Sequence, residues 1–202
     1  MIRGDAFQSF LDAALVAFDR HATDIRARNS VMQLFSQLET PGVQRDDAPP
    51  KRLPVCERFL ASALENAATK PSLERMISCF RELEPLIVWR WRSSYDSSAS
   101  DNFLMSHANG MIVGPGGLED RKDVWLGVTL MAPHVRYPDH DHPPEETYLV
   151  MSEGEFKQAE GEWFAPGIGG SFYNTPGIKH AMRSGSKPLL ALWALRADGQ
   201  SH

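Results

Sequence analysis

The chain has 202 residues, 42% of them hydrophobic and 23% charged, with a formal net charge of −5 and a pI near 5.8. No Lys/Arg-rich run or Arg/Gly tract is present, so a nucleic-acid partner is set aside. No apolar run reaches the ~20 residues of a membrane helix, so a membrane partner is set aside too.

The opening Met1-Ile-Arg-Gly-Asp5 lacks the apolar core and small-residue cleavage site of a signal peptide. Cys56 and Cys79 fall in helix-like segments and read as buried thiols of a reducing compartment, not as a disulfide framework. The expected localisation is cytoplasmic.

The first 85 residues read as helical. Phe7, Phe10, Leu11, Ala14, Leu15 and Phe18 recur at three- and four-residue spacing, which predicts a helix from Asp5 to Arg20 with Asp5 as N-cap. A second helix starts near Thr23 or Asp24, carries Val31, Leu34, Phe35 and Leu38 on one face, and stops at Thr40-Pro41-Gly42. The stretch from Gln44 to Pro54, with Asp46-Asp47 and Pro49-Pro50, reads as a loop. A third helix follows Pro54, and a fourth runs from about Ser72 to Leu83 before Pro85. None carries a catalytic motif, and His21 reads as a solvated surface histidine. These helices are expected to pack on the C-terminal part of the chain or on a partner subunit, which leaves room for a homodimer.

After Pro85 the period changes from helical to alternating. Strands are predicted over Ile87–Trp91, Phe103–Met111, Val124–Met131, Thr147–Met151, Glu155–Gln158, Gly170–Tyr173, His180–Arg183 and Leu189–Leu195, with Gly and Pro between them. Many short, punctuated strands predict a mainly β unit over residues 86–202, a sandwich or barrel, beside the helical region 1–85. There is no dinucleotide fingerprint, P-loop or nucleophile elbow.

The chemistry concentrates in Tyr137-Pro-Asp-His140-Asp-His142-Pro-Pro-Glu-Glu146-Thr-Tyr148, with His180 downstream after a Pro-Gly turn. In a strand, residues two apart share a face, and His140, His142, Glu146 and Tyr148 share parity. Imidazoles with a carboxylate suit one divalent ion such as zinc, iron(II), manganese or nickel. Three protein ligands leave positions for substrate or water, as in a working metal rather than a structural one. His107 and His134 have no such neighbours and read as surface or hydrogen-bonded histidines.

The run His140-x-His142-x3-Glu146, then Gly154, then Gly170-x5-Pro176-Gly177-x2-His180, resembles the two motifs of the cupin superfamily. That resemblance implies a double-stranded, jelly-roll-like β-barrel with a metal inside. It departs where Pro176 and Gly177 are adjacent and where Ser184 replaces an asparagine. With Tyr137 and Tyr148 added, the whole chain resembles the cupin-type dimethylsulfoniopropionate (DMSP) lyases of the DddQ type.

The resemblance implies a carbon–sulfur lyase that cleaves DMSP to dimethyl sulfide and acrylate by β-elimination. It implies His142, Glu146 and His180 as metal ligands, Tyr148 as a tyrosine that approaches or ligates the metal, and His140 and Tyr137 as pocket residues. With the metal on the substrate carboxylate, a tyrosine takes the α-proton. Tyr137 is favoured slightly over Tyr148, and the sequence does not choose between them. A sulfonium needs aromatic faces, for which Trp89, Trp91, Trp125, Trp163, Trp193 and Phe172 are candidates, with Trp125 and Trp193 taken as substrate-binding. A cupin dioxygenase or isomerase acting on another small carboxylate, or a non-catalytic binding cupin, are the alternatives.

Overall fold

The computed structural model describes residues 3–45 and 49–197. The Asp46-Asp47 pair, and the outer ends of the helical region and of the β unit, lie outside the described residues.

Among the described residues four α-helices come first: α1 (Asp5–His21), α2 (Ile25–Leu38), α3 (Pro54–Ala68) and α4 (Glu74–Leu83). Asp5 is not the cap of α1. Gly4 takes that position, and Asp5 sits in the first turn, where its charge suits the N-terminal end of the helix dipole. Asp24 does cap α2, accepting from the backbone N–H of Arg26 at 2.8 Å. Pro54 starts α3, where its missing N–H costs no hydrogen bond.

Among the described residues ten strands are formed: β1 (Val43–Gln44), β2 (Trp89–Arg90), β3 (His107–Val113), β4 (Glu119–Asp120), β5 (Val124–Met131), β6 (Glu145–Val150), β7 (Glu155–Gln158), β8 (Ser171–Asn174), β9 (His180–Arg183) and β10 (Leu189–Arg196). The larger sheet runs β1-β4-β3-β5-β10-β6-β8, with β2 on β3, and β7 pairs with β9 in a second layer. Isolated bridges Arg136↔Arg183, His140↔His180 and Phe156↔Phe164 widen that second layer. The result is the cupin architecture, two facing β layers, with the larger sheet left open rather than closed on itself.

The strands β1 and β4 were not expected, being too short to show an alternating period. They form a seam between the helical region and the sheet. Buried Glu119 of β4 holds the guanidinium of Arg3 through two bonds of 2.6 and 2.8 Å, and also accepts from Gly42 N–H and Gln44.

Strand β5 shows how the sheet divides its faces. Trp125, Gly127 and Thr129 alternate with Val124, Leu126, Val128 and Leu130. The apolar set faces the helices: α3 packs on β5 and β10, and α2 on β6 and β10. One continuous set of buried side chains therefore runs from Phe7 to Ala194. The other set faces the space between the layers.

His21 is not a solvated histidine. It is half-buried and pairs with Ser72 Oγ at 2.8 Å. Cys56 and Cys79 are free thiols, the first buried, and burial pushes the Cys56 thiol up to about 12.

Candidate active site

Strand register assembles one wall of a cavity. Across β8, β6, β10 and β5 the residues Asn174, Glu146, Leu195 and Trp125 stand side by side. The next row is Phe172, Tyr148, Trp193 and Gly127, extended to Met111 on β3. A third row pairs Thr129 with Asn109. Because these rows are two residues apart on each strand, all lie on one face.

The facing wall comes from the second layer. His140 and His180 exchange backbone hydrogen bonds of 3.0 and 2.8 Å, and Tyr137 N–H donates to Met182 O at 2.9 Å. Between the walls lies a cavity of about 240 Å³. That is smaller than the ~300–1,000 Å³ of pockets for drug-sized ligands, so it suits a small molecule.

The parity argument holds only for Glu146 and Tyr148. β6 begins at Glu145, and His140 and His142 precede it. Pro143-Pro144 breaks the strand pattern, since proline cannot donate to a ladder. The two histidines reach the cavity instead because the chain crosses there from the second layer to the larger sheet.

His142, Glu146 and His180 each offer a ligand atom, and these atoms lie within 4.8 Å of one another. Among the described residues this is the group able to hold a metal ion. The Nδ1–H groups of His142 and His180 donate to Pro144 O and Ile178 O, both at 2.9 Å. That leaves each Nε2 as a bare lone pair. The two Nε2 atoms point at the same Glu146 oxygen, at 3.4 and 3.1 Å. His180 Nε2 is buried with no hydrogen-bond donor.

Lone pairs aimed at a carboxylate oxygen repel unless a cation or proton sits among them, so the donor set fits a divalent ion. The electrostatics agree in direction. Burial disfavours ionised Glu146, but His142 and His180 outweigh it and hold its carboxyl far below the carboxylate range. Burial likewise works against charged His142, yet Glu146 raises its proton affinity above the usual value. Asn174 steadies the carboxylate, donating from Nδ2 to Glu146 Oε2 at 3.0 Å, and Gln158 fixes the amide by donating to Asn174 Oδ1 at 2.6 Å.

The family model for dimethylsulfoniopropionate lyases matches residues 26–191. The chain belongs to this family. It is 30% identical over 113 residues to dimethylsulfoniopropionate lyase DddQ of Ruegeria pomeroyi, a stretch that spans 55% of this chain and 56% of that one. The match thus spans little more than half the length of that curated relative. The solved structure of DMSP lyase DddQ from the same species shares the fold, with a TM-score of 0.69 at 21% identity over 99% of this chain and 95% of that one.

In this family member the cavity gathers Tyr137, His140, His142, Glu146, Tyr148, Trp125 and Trp193. The other aromatic candidates go elsewhere. Trp89 is fully buried and donates to Glu84, Trp91 lies under Lys51 at the surface, and Trp163 lies under Arg136 and Arg183. Phe172 stacks on Tyr148 with ring centroids 5.0 Å apart. His140 is held by Pro138 O through Nδ1, and burial, with His180 beside it, lowers its pKa to about 3.

The two tyrosines differ. Burial raises both, and the same two charges act on both: Arg92, which lowers, is the stronger at Tyr137, and Glu146, which raises, is the stronger at Tyr148, while Asn109 lowers Tyr137 further. Ser184, the departure from the cupin motif, donates to Ala132 O at 2.6 Å and accepts from Val135 N–H at 2.9 Å. It pins the end of β9 to the segment that leads into Tyr137.

Arg92, Asn109 and Thr129 also line the cavity, beyond the residues that the sequence pattern singles out. Asn109 and Thr129 are polar residues within mostly apolar strands, a signal legible in the sequence. Arg92 offered none. Its backbone N–H donates to Nε2 of buried His107 at 2.8 Å, so a distant histidine fixes where it leaves the strand. His107, which also donates to Phe103 O, is the hydrogen-bonded histidine expected.

Gly127 lies beneath the Trp193 ring, and a Cβ there would overlap it. Gly127→Ala is expected to displace Trp193 and to cost about 1–3 kcal/mol of stability. A lowered Tm with altered tryptophan fluorescence checks this, and an unchanged Trp193 signal would contradict it.

Proposed function

We propose that this protein cleaves dimethylsulfoniopropionate to dimethyl sulfide and acrylate by β-elimination, using one divalent ion held by His142, Glu146 and His180. The observation that carries the reading is the convergence of two bare Nε2 atoms on the Glu146 carboxylate, beside a small cavity lined by Tyr137, Tyr148, Trp125 and Trp193 together with polar Arg92, Asn109 and Thr129. Family membership supplies the substrate class. A bound divalent ion would supply a Lewis-acidic partner for the substrate carboxylate, making the α-hydrogen more acidic.

Tyr137 takes the α-proton. The C–H electron pair becomes the Cα=Cβ bond, and the Cβ–S pair leaves on dimethyl sulfide. An ordinary phenol, with a pKa of about 10, is a weak base at neutral pH. Arg92, whose guanidinium carbon is 5.7 Å from the Tyr137 ring centroid, and the Asn109 amide at 3.0 Å both favour the phenolate. Tyr148, faced by Glu146, is the less able base and serves as a further ligand or as part of the wall. His140 fills the pocket beside Tyr137, with ring centroids 5.1 Å apart. Trp125 and Trp193 receive the sulfonium on their faces, each contributing roughly 0.5–2 kcal/mol.

The test is headspace detection of dimethyl sulfide from purified protein given the substrate, with and without chelator and with oxygen excluded. The expected result is release without oxygen, abolished by the chelator and restored by added metal. Oxygen-dependent turnover would point to a dioxygenase, and no turnover with substrate still bound would point to a binding module.

A further inference from the structure

Three polar side chains on the cavity wall form a chain that runs one way. Trp193 Nε1–H, which can only donate, gives its hydrogen to Thr129 Oγ1 at 3.1 Å. The Thr129 hydroxyl gives its own hydrogen to Asn109 Oδ1 at 2.6 Å. With its carbonyl engaged, the Asn109 amide presents Nδ2–H to the Tyr137 oxygen at 3.0 Å. The indole N–H occupies one of the two acceptor positions of Thr129, and the hydroxyl hydrogen, turned to Oδ1, holds the amide with Nδ2–H toward Tyr137.

A Thr129 hydrogen turned toward the indole would meet another donor, and a flipped Asn109 amide would leave that hydrogen without its Oδ1 acceptor. The arrangement needs three neighbouring strands. Asn109 and Thr129 are direct cross-strand partners on β3 and β5, while Trp193 on β10 stands diagonal to Thr129, opposite Gly127. Gly127 leaves the room in which the indole reaches across.

We propose that Trp193, Thr129 and Asn109 are positioning residues for the reaction: a directed hydrogen-bond relay that makes the Tyr137 oxygen an acceptor from the wall and leaves its other side turned to the substrate. This rests on the reading of Tyr137 as base. Thr129 acts only through Asn109, which holds the Tyr137 oxygen itself. Trp193 has two duties, its face toward the sulfonium and its edge toward the relay. A phenol so held can neither donate into the wall nor turn its reactive lone pair away from the cavity. The relay acts on turnover and not on substrate affinity, because it braces the base without lengthening or shortening any contact to the substrate carboxylate.

The test compares Thr129→Val, Thr129→Ser, Asn109→Asp and Tyr137→Phe, each metal-loaded and checked for folding by circular dichroism. Thr129→Val keeps the shape and removes the hydroxyl. Asn109→Asp keeps the size and removes the donor to Tyr137. The expected result is a kcat about tenfold lower in both, the scale of one hydrogen bond, with KM within about twofold, and recovery in Thr129→Ser. Should Thr129→Val not fold, Asn109→Asp alone decides.

Unchanged kcat in Asn109→Asp, or a raised KM with kcat intact, overturns the relay. Full turnover by Tyr137→Phe is a different failure, that of the base assignment itself.

Discussion

Replacing His180 with Ala is expected to abolish both metal retention and dimethyl sulfide release, while leaving the fold intact. His180 is carried by β9, in the second layer, whereas Glu146 belongs to β6 of the larger sheet. The ligand cluster therefore spans the gap between layers, and removing its second-layer member leaves His142 and Glu146 from a single crossing segment. Losing an outer-shell partner of a metal site typically costs 10–100-fold in affinity. Losing a ligand is expected to exceed that, so metal content after dialysis should fall below about a tenth of an equivalent. The imidazole makes a hydrogen bond from Nδ1–H to Ile178 O and none from Nε2, so the metal-free form should lose only about 1 kcal/mol of stability. Wild-type metal content in the variant would sink the proposed site. A collapse of the metal-free fold would show instead that His180 is structural.

Much of this site could be read from sequence because its residue types are rare in a core. Two histidines and a glutamate within seven residues, a third histidine after a turn, and apolar strands around them leave few other readings. What could not be read is the route by which they meet. Strand parity accounts for Glu146 and Tyr148 but not for His140 and His142, which reach the cavity where the chain changes layers at Pro143-Pro144. Pairings such as Asn109 with Thr129, or Glu146 with Asn174, depend on register between strands far apart in the chain. Local pattern carries no register information. The helices were legible because a 3.6-residue stripe is local, whereas β1 and β4, two residues each, have no period to detect. Among the tryptophans, composition suggested a cation-binding wall, but only the sheet separates Trp125 and Trp193 from Trp89, Trp91 and Trp163.

Tyr137→Phe is expected to lower kcat by roughly 10²–10⁴-fold, the usual contribution of a positioned general base, with metal content unchanged. Tyr148→Phe should be milder. The asymmetry follows from what surrounds each oxygen. Tyr137 accepts from Asn109 and lies beneath the Arg92 guanidinium, so its anion has a donor and a cation beside it. Tyr148 is fully buried, with the Glu146 carboxylate and the Tyr137 phenol both opposing its ionisation. Burial nevertheless raises Tyr137 above the ordinary phenol value. Without the metal the neutral phenol therefore dominates at about pH 7; a bound divalent cation would favour the phenolate, and only the phenolate can accept the proton. The wild-type rate should accordingly climb as pH rises from neutrality toward the alkaline range, until the phenolate is fully formed or the metal is lost. Removing the cation at Arg92, as in Arg92→Met, should move that climb to higher pH, since the phenolate loses a favourable charge. A flat profile above neutral pH in the wild type, or equal losses from the two tyrosine variants, would place the proton acceptor elsewhere in the cavity.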